Sequence, residues 1–274
     1  MTTLFFFIFG ACLGSFIPCF AERRQKNLSQ IDRSRCLHCG QAIAPLYLVP
    51  ILGYFFSSGH CRHCGAPISK SLPFFESIVA ILCALLSIST APAPHTILLC
   101  SIFALLLLLS LDDWQLQQIH DSDLILYGVL LILDSVLYGA HLWLDHAIGA
   151  VIVALPLFII LRLFPQGLGS GDVLFMAISG FYLGTVAVTH AFLIGIFCAL
   201  VYALYLIIIK KVRRDASLPL IPFLAAGVAV VVLSTPFFRI KSLRNNYIGR
   251  KNMLSSISQF ATMCYNDYIP SIGR

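Results

Sequence analysis

Charge is what this sequence has least of. Only 11% of its 274 residues are Asp, Glu, Lys or Arg, where an ordinary soluble domain carries about a quarter. Hydrophobic residues make up 59% and the mean hydropathy is +0.90, which excludes a soluble globular domain and requires an integral membrane protein. The first apolar run, LFFFIFGACLGSFIPCF, has no basic stretch before it and no small-residue cleavage site after it. It therefore reads as a retained helix rather than a secretory signal. Period-2 alternation of polar and apolar residues is also lacking, which excludes a transmembrane barrel. No internal repeat or low-complexity segment stands out. The net charge of +6 sits in a few loops, and nothing beside it implies a nucleic-acid partner.

What is present is a series of apolar runs, at about 3–20, 73–90, 96–111, 124–142, 145–161, 173–188, 190–209 and 219–238, each near the ~20 residues that cross a bilayer as a helix. The expected fold class is all-α, a polytopic membrane protein with about eight transmembrane helices. Its expected parts are a first transmembrane helix (1–20), a cytoplasmic zinc-binding loop (21–72), a seven-helix membrane core (73–238) and a polar tail of unassigned role (239–274). Orientation follows from Lys and Arg, which stay on the cytoplasmic side of short loops. Residues 21–72 hold Arg23, Arg24, Lys26, Arg33, Arg35, Arg62 and Lys70; residues 210–214 hold Lys210, Lys211, Arg213 and Arg214. Eight crossings put both segments and Arg162 on one side, the cytoplasm, with the N-terminus outside. The tail, with Arg239, Lys241, Arg244, Arg250, Lys251 and Arg274, disagrees: either it translocates despite its charge or one span is miscounted.

The long loop contains Cys36, Cys39, Cys61 and Cys64, as CLHCG and CRHCG. Two CxxC turns, each aiming two sulfurs at one ion, fit a tetrahedral four-thiolate zinc site. A disulfide reading fails on the cytoplasmic side, where thiols stay reduced. A redox role suits two matched, glycine-followed copies less well than a closed structural site. His38, His60 and His63 are neighbours that a completed tetrahedron does not need. Cys12, Cys19, Cys83, Cys100, Cys198 and Cys264 read as small hydrophobes.

Carboxylates in or beside membrane spans are costly, so each calls for a role. Four of the twelve acidic residues stand in SLDDWQLQQIHDSD: Asp112, Asp113, Asp121 and Asp123. Asp113 ends the third span and Asp172, in GLGSGD, begins the sixth on the same side. Gly169 and Gly171 let the backbone turn and approach closely, and Asp172 then sits at a helix N-terminus that favours its ionised form. Two close carboxylates share one proton and can hold a water between them, one taking its proton while the other polarises a carbonyl, which hydrolyses a peptide bond without metal or covalent nucleophile. Asp112, Asp121, Asp123 and Asp145 read as ordinary helix starts or solvated ends. Asp134 and Glu76 fit a structural or a functional role equally.

The order of these motifs resembles the bacterial type IV prepilin peptidases, GxGD-type intramembrane aspartic proteases, over about residues 10–230. Gly14, Ser15 and Phe16 match the opening GSF and Glu76 a glutamate of the second helix. Asp113 and Asp121 match the Asp-rich segment, and Gly169, Gly171 and Asp172 the G-x-G-D. The resemblance implies that Asp113 and Asp172 are catalytic, with Asp121 and Glu76 supporting. It further implies removal of a short basic leader from prepilins or pseudopilins in a bacterial inner membrane, commonly after a glycine, serving pilus, secretion or DNA-uptake assembly. N-methylation with S-adenosylmethionine follows in many members, but no glycine-rich fingerprint for that cofactor is visible and no residue is assigned to it. The chain departs from the family pattern at Pro18, Gln115, His120 and Ile221, and carries Asp112 where the family has an apolar residue. Those departures keep an inactive assembly scaffold open as an alternative, and Glu76, Asp134 and Asp145 keep open a proton-coupled transporter.

Overall fold

A computed structural model of the chain describes residues 1–26, 29, 33–36, 38–89, 93–138, 143–164, 168–209 and 218–234. The basic segment at 210–214 and the tail at 239–274 lie outside them. The helices are α1 (Thr2–Gln25), α2 (Leu52–Phe56), α3 (Ser71–Ser89), α4 (Ala93–Leu116), α5 (Asp121–Tyr138), α6 (Trp143–Leu163), α7 (Ser170–Leu183), α8 (Thr185–Ile208) and α9 (Ile221–Ser234). No strand occurs among the described residues, as expected where lipid leaves backbone groups only intra-helical partners.

Among the described residues, each apolar run is helical over most of its length. Five helices, α1, α3, α4, α6 and α8, are long and apolar enough to cross a bilayer. The other three differ from the expected spans: α5 carries Asp121, Asp123 and Asp134 within 18 residues, while α7 and α9 are shorter apolar helices. Hydropathy puts the break between the sixth and seventh runs near 189, but it falls at Gly184, whose φ of +78° is open to glycine and ends α7. Asp145 covers the new helix start, accepting the Thr185 amide at 3.4 Å.

Close helix crossings add to the buried apolar contacts in holding the bundle together, as expected where lipid removes the hydrophobic drive between helices. On α1, a Cβ at Gly14 would lie 2.8 Å from Glu76 Cα and 2.9 Å from the Phe75 carbonyl, so α1 and α3 pack backbone to backbone. Gly149 of α6 and Gly180 of α7 meet in the same way. Between α1 and α4, Ile17, Ala21, Ala104 and Leu108 form a buried cluster. Large apolar side chains on the outer faces, such as Val151, Leu155, Leu193 and Phe197, are exposed, the surface a bilayer covers.

Candidate active site and metal centre

α4 continues to Leu116, so Asp112 and Asp113 stand inside its last turns. Successive helix residues point about 100° apart, and these two meet different neighbours. Asp113, 8% exposed, accepts the Ile221 amide on Oδ2 at 3.0 Å. Ile221 opens α9, where the Pro222 that follows has no N–H of its own to offer. A free amide and the positive end of a helix thus face the Asp113 carboxylate.

Asp172, also 8% exposed, stands in the first turn of α7. Its Oδ2 accepts the Gly169 amide at 3.1 Å, and its own amide donates to the Gly169 carbonyl at 3.2 Å, a reciprocal cap. A Cβ on Gly171 would come to 2.5 Å from Ile119 Cδ1, so the missing side chain lets the α4–α5 corner lie against the turn. Asp113 and Asp172 are near enough to interact electrostatically. Two buried carboxylates, each accepting a backbone amide beside a helix N-terminus, therefore come from separate helices to within electrostatic reach of each other.

Asp112 is not a solvated helix end. It is completely buried, and Arg24 of α1 donates to its Oδ2 at 2.7 Å and to Asp123 Oδ2 at 2.5 Å. His120 Nδ1 lies 3.7 Å from the same Asp112 oxygen. Gln115 bonds to Gln25, so α1 and α4 are tied twice. Asp121 remains exposed at the first turn of α5, with no bond to Asp113 or Asp172 among the described residues. Nothing in the sequence distinguished Arg24 among the basic residues at the end of α1, because its partners lie in distant segments.

Glu76 is 4% exposed and accepts the Ile51 amide at 2.5 Å, which ties the cysteine loop to α3. Asp134 is tied at the far end of the bundle: His95 Nε2 of α4 lies 3.2 Å from its Oδ1, and Tyr182 of α7 donates to its Oδ2 at 2.7 Å. Glu76, Asp134 and Asp145 each serve a local structural bond, which does not favour a transport path.

The four cysteine sulfurs lie within 4.8 Å of one another, and Cys36 and Cys64 Sγ are 3.8 Å apart. A tetrahedron with metal–sulfur bonds of about 2.3 Å has edges of about 3.8 Å, so the cluster fits a metal ion. The two CxxC turns repeat one geometry: isolated bridges pair Arg35 with Ala42 and His60 with Pro67, and Gly40 and Gly65 have φ of +70° and +71°. Turn amides already favour thiolate. The Cys39 and His38 amides bring Cys36 down to about 6, and those of Cys64 and His63 lower Cys61. At Cys64 the Ala66 amide acts in the same sense but is outweighed by desolvation and by the neighbouring sulfurs, which push it up to about 12.

Comparison with known proteins extends the picture. Residues 8–90 match the bacterial peptidase A24 N-terminal domain, and residues 100–204 match the type IV leader peptidase family. A prepilin leader peptidase/N-methyltransferase of Burkholderia pseudomallei (strain 1026b) is 34% identical over 216 residues, 76% of this chain and 69% of that protein. A type 4 prepilin-like proteins leader peptide-processing enzyme of Escherichia coli O78:H11 is 31% identical over 216 residues, 76% and 78% respectively. A prepilin leader peptidase/N-methyltransferase of Bacillus subtilis is 29% identical over 222 residues, 81% and 90%. No solved structure matches. The first match spans the cysteine loop and Glu76 and the second spans Asp113 and Asp172; the chain belongs to the type IV leader peptidase family and is a multi-pass membrane peptidase.

Proposed function

We propose that the chain is an aspartic endopeptidase that removes the short basic leader of type IV prepilins or pseudopilins, with Asp113 and Asp172 as the catalytic pair. The observation that supports this reading is that two buried carboxylates from separate helices lie close enough to interact, each accepting a backbone amide on Oδ2. One carboxylate, ionised, takes a proton from the water held between them. The hydroxide equivalent attacks the scissile carbonyl carbon while the other, protonated, donates to the carbonyl oxygen. Collapse of the tetrahedral intermediate breaks the C–N bond, and a proton passes to the leaving amine.

The chain lies in a bacterial inner membrane, with the catalytic end and the loop in the cytoplasm, where Arg23, Arg24, Lys26 and Arg62 belong by charge. The proposed organisation is a first transmembrane helix (1–20), a zinc-binding loop (21–72), a seven-helix protease core (73–238) and a polar tail (239–274). Cys36, Cys39, Cys61 and Cys64 hold a structural zinc that folds the loop and leaves no open coordination position for catalysis. Two relatives are named as N-methyltransferases as well; in this chain the second activity would be N-methylation of the new amino terminus, with S-adenosylmethionine as donor, and no residue is assigned to it.

Membranes containing the chain are expected to shorten a prepilin by its leader. Asp113→Ala and Asp172→Ala should each lower turnover by about a thousandfold or more while the protein remains folded, the scale expected when an acid–base group is removed. Unimpaired cleavage by either variant overturns the assignment. A well-folded protein that binds the precursor and never cuts it is a scaffold instead.

A further inference from the structure

One residue from Asp113 lies an ion cluster that the reaction does not use. Through a single nitrogen, Arg24 Nη2, it joins α1 to Asp112 of α4 and Asp123 of α5. His120 and the Gln25–Gln115 pair complete the corner. Asp112, Gln115 and His120 are positions where the chain departs from the family pattern, and each has its partner inside this one corner.

Stability does not account for the cluster. Arg24 Nε and Asp112 Oδ1 are buried with no hydrogen-bond partner among the described residues, and such unpaired groups are costly. Incompletely bonded buried ions seldom repay their desolvation, so an apolar pair would hold the helices at least as firmly. An apolar pair cannot fix direction, because greasy contacts slide and rotate whereas charge-assisted hydrogen bonds set both distance and angle. Asp112 and Asp113 are consecutive in the last turns of α4. Pinning Asp112 to α1 and α5 therefore sets the direction in which Asp113 leaves the helix toward α9 and Asp172.

We propose that Arg24 is a positioning residue of this peptidase: acting through Asp112, it holds Asp113 at the angle that faces Asp172, and contributes to turnover rather than to substrate affinity. The proposal rests on the aspartic reading above. A misplacement of about 1 Å at a reacting group costs about a hundredfold in rate, which sets the scale.

The test measures kcat and KM for prepilin cleavage, together with melting temperature, for the full-length chain in lipid. The variants are Arg24→Lys, the triple variant Arg24→Leu with Asp112→Leu and Asp123→Asn, which leaves no unpaired charge in the corner, and Asp113→Ala as control. The triple variant should melt close to the unsubstituted protein, yet lose about 10- to 100-fold in kcat with KM within about threefold. Arg24→Lys, which keeps a cation and donor, should recover most of that loss. An unchanged kcat in the triple variant overturns the proposal, as does a loss that tracks a lowered melting temperature and is not recovered by lysine. Cleavage by Asp113→Ala defeats the aspartic reading itself, whatever Arg24 does.

Discussion

Ile51 couples the cysteine loop to the membrane helices. Its φ of 64° and ψ of −57°, with the Leu52 amide bonded to the Pro50 carbonyl at 2.7 Å, form a γ-turn of the rare, strained hand. A β-branched side chain opposes that conformation, yet the turn aims the Ile51 amide at Glu76. Ile51→Gly removes the Cβ strain and keeps the amide, so the loop should gain about 1 kcal/mol, read as slower proteolysis between residues 35 and 68. Glu76→Gln weakens a charge-assisted bond and should lose about 1–2 kcal/mol in the same assay. The sequence left Glu76 between two roles because its partner is a backbone amide 25 positions away, and amides carry no side-chain signature.

Among the elements, the crossings decide where the site residues stand. A methyl at Gly14 meets backbone atoms of Phe75 and Glu76 that cannot rotate aside. Gly14→Ala should destabilise the bundle by about 1–3 kcal/mol and lower peptidase activity as Glu76 and the loop shift, measured by unfolding in detergent beside a cleavage assay. Gly128→Ala is the contrasting case. Its Cβ would sit 3.5 Å from the Ile178 Cγ2, an ordinary contact, so the substitution should be neutral or stabilise α5 by up to about 1 kcal/mol through helix propensity. The helices themselves were legible because long apolar runs in lipid have no other way to satisfy their backbone. The crossings were not, since a glycine on α1 does not say which helix approaches it, and the end of α7 depended on one positive φ at Gly184.

For the whole molecule, the cysteine centre should be separable from the bundle. The purified chain is expected to bind one zinc. A strong chelator should free four reactive thiols and open residues 35–68 to protease, with the helical signal of the membrane core retained. Because thiolates are the ligands, protons compete with the metal. Turn amides lower Cys36 to about 6 while the neighbouring sulfurs raise Cys64, and a bound cation favours thiolate at all four, so zinc affinity should fall steadily as pH falls, as a metal indicator would report. Zinc affinity indifferent to pH, or helical content lost with the metal, would contradict this division.

Composition and short spacings alone determined that the protein lives in a membrane, that it is helical and that four cysteines form one cluster, and the motif resemblance to the prepilin peptidases singled out Asp113 and Asp172 as the aspartates to examine. Those features are local: hydropathy acts over one helix, a CxxC turn over four residues, a G-x-G-D over another four. Only the tertiary structure decided which groups bond to the buried aspartates. The Ile221 amide reaches Asp113 across 108 positions, and Arg24 reaches Asp112 and Asp123 across 88 and 99. Such contacts depend on how far each helix is rotated and how closely it crosses its neighbours, and no local pattern of residues encodes either quantity.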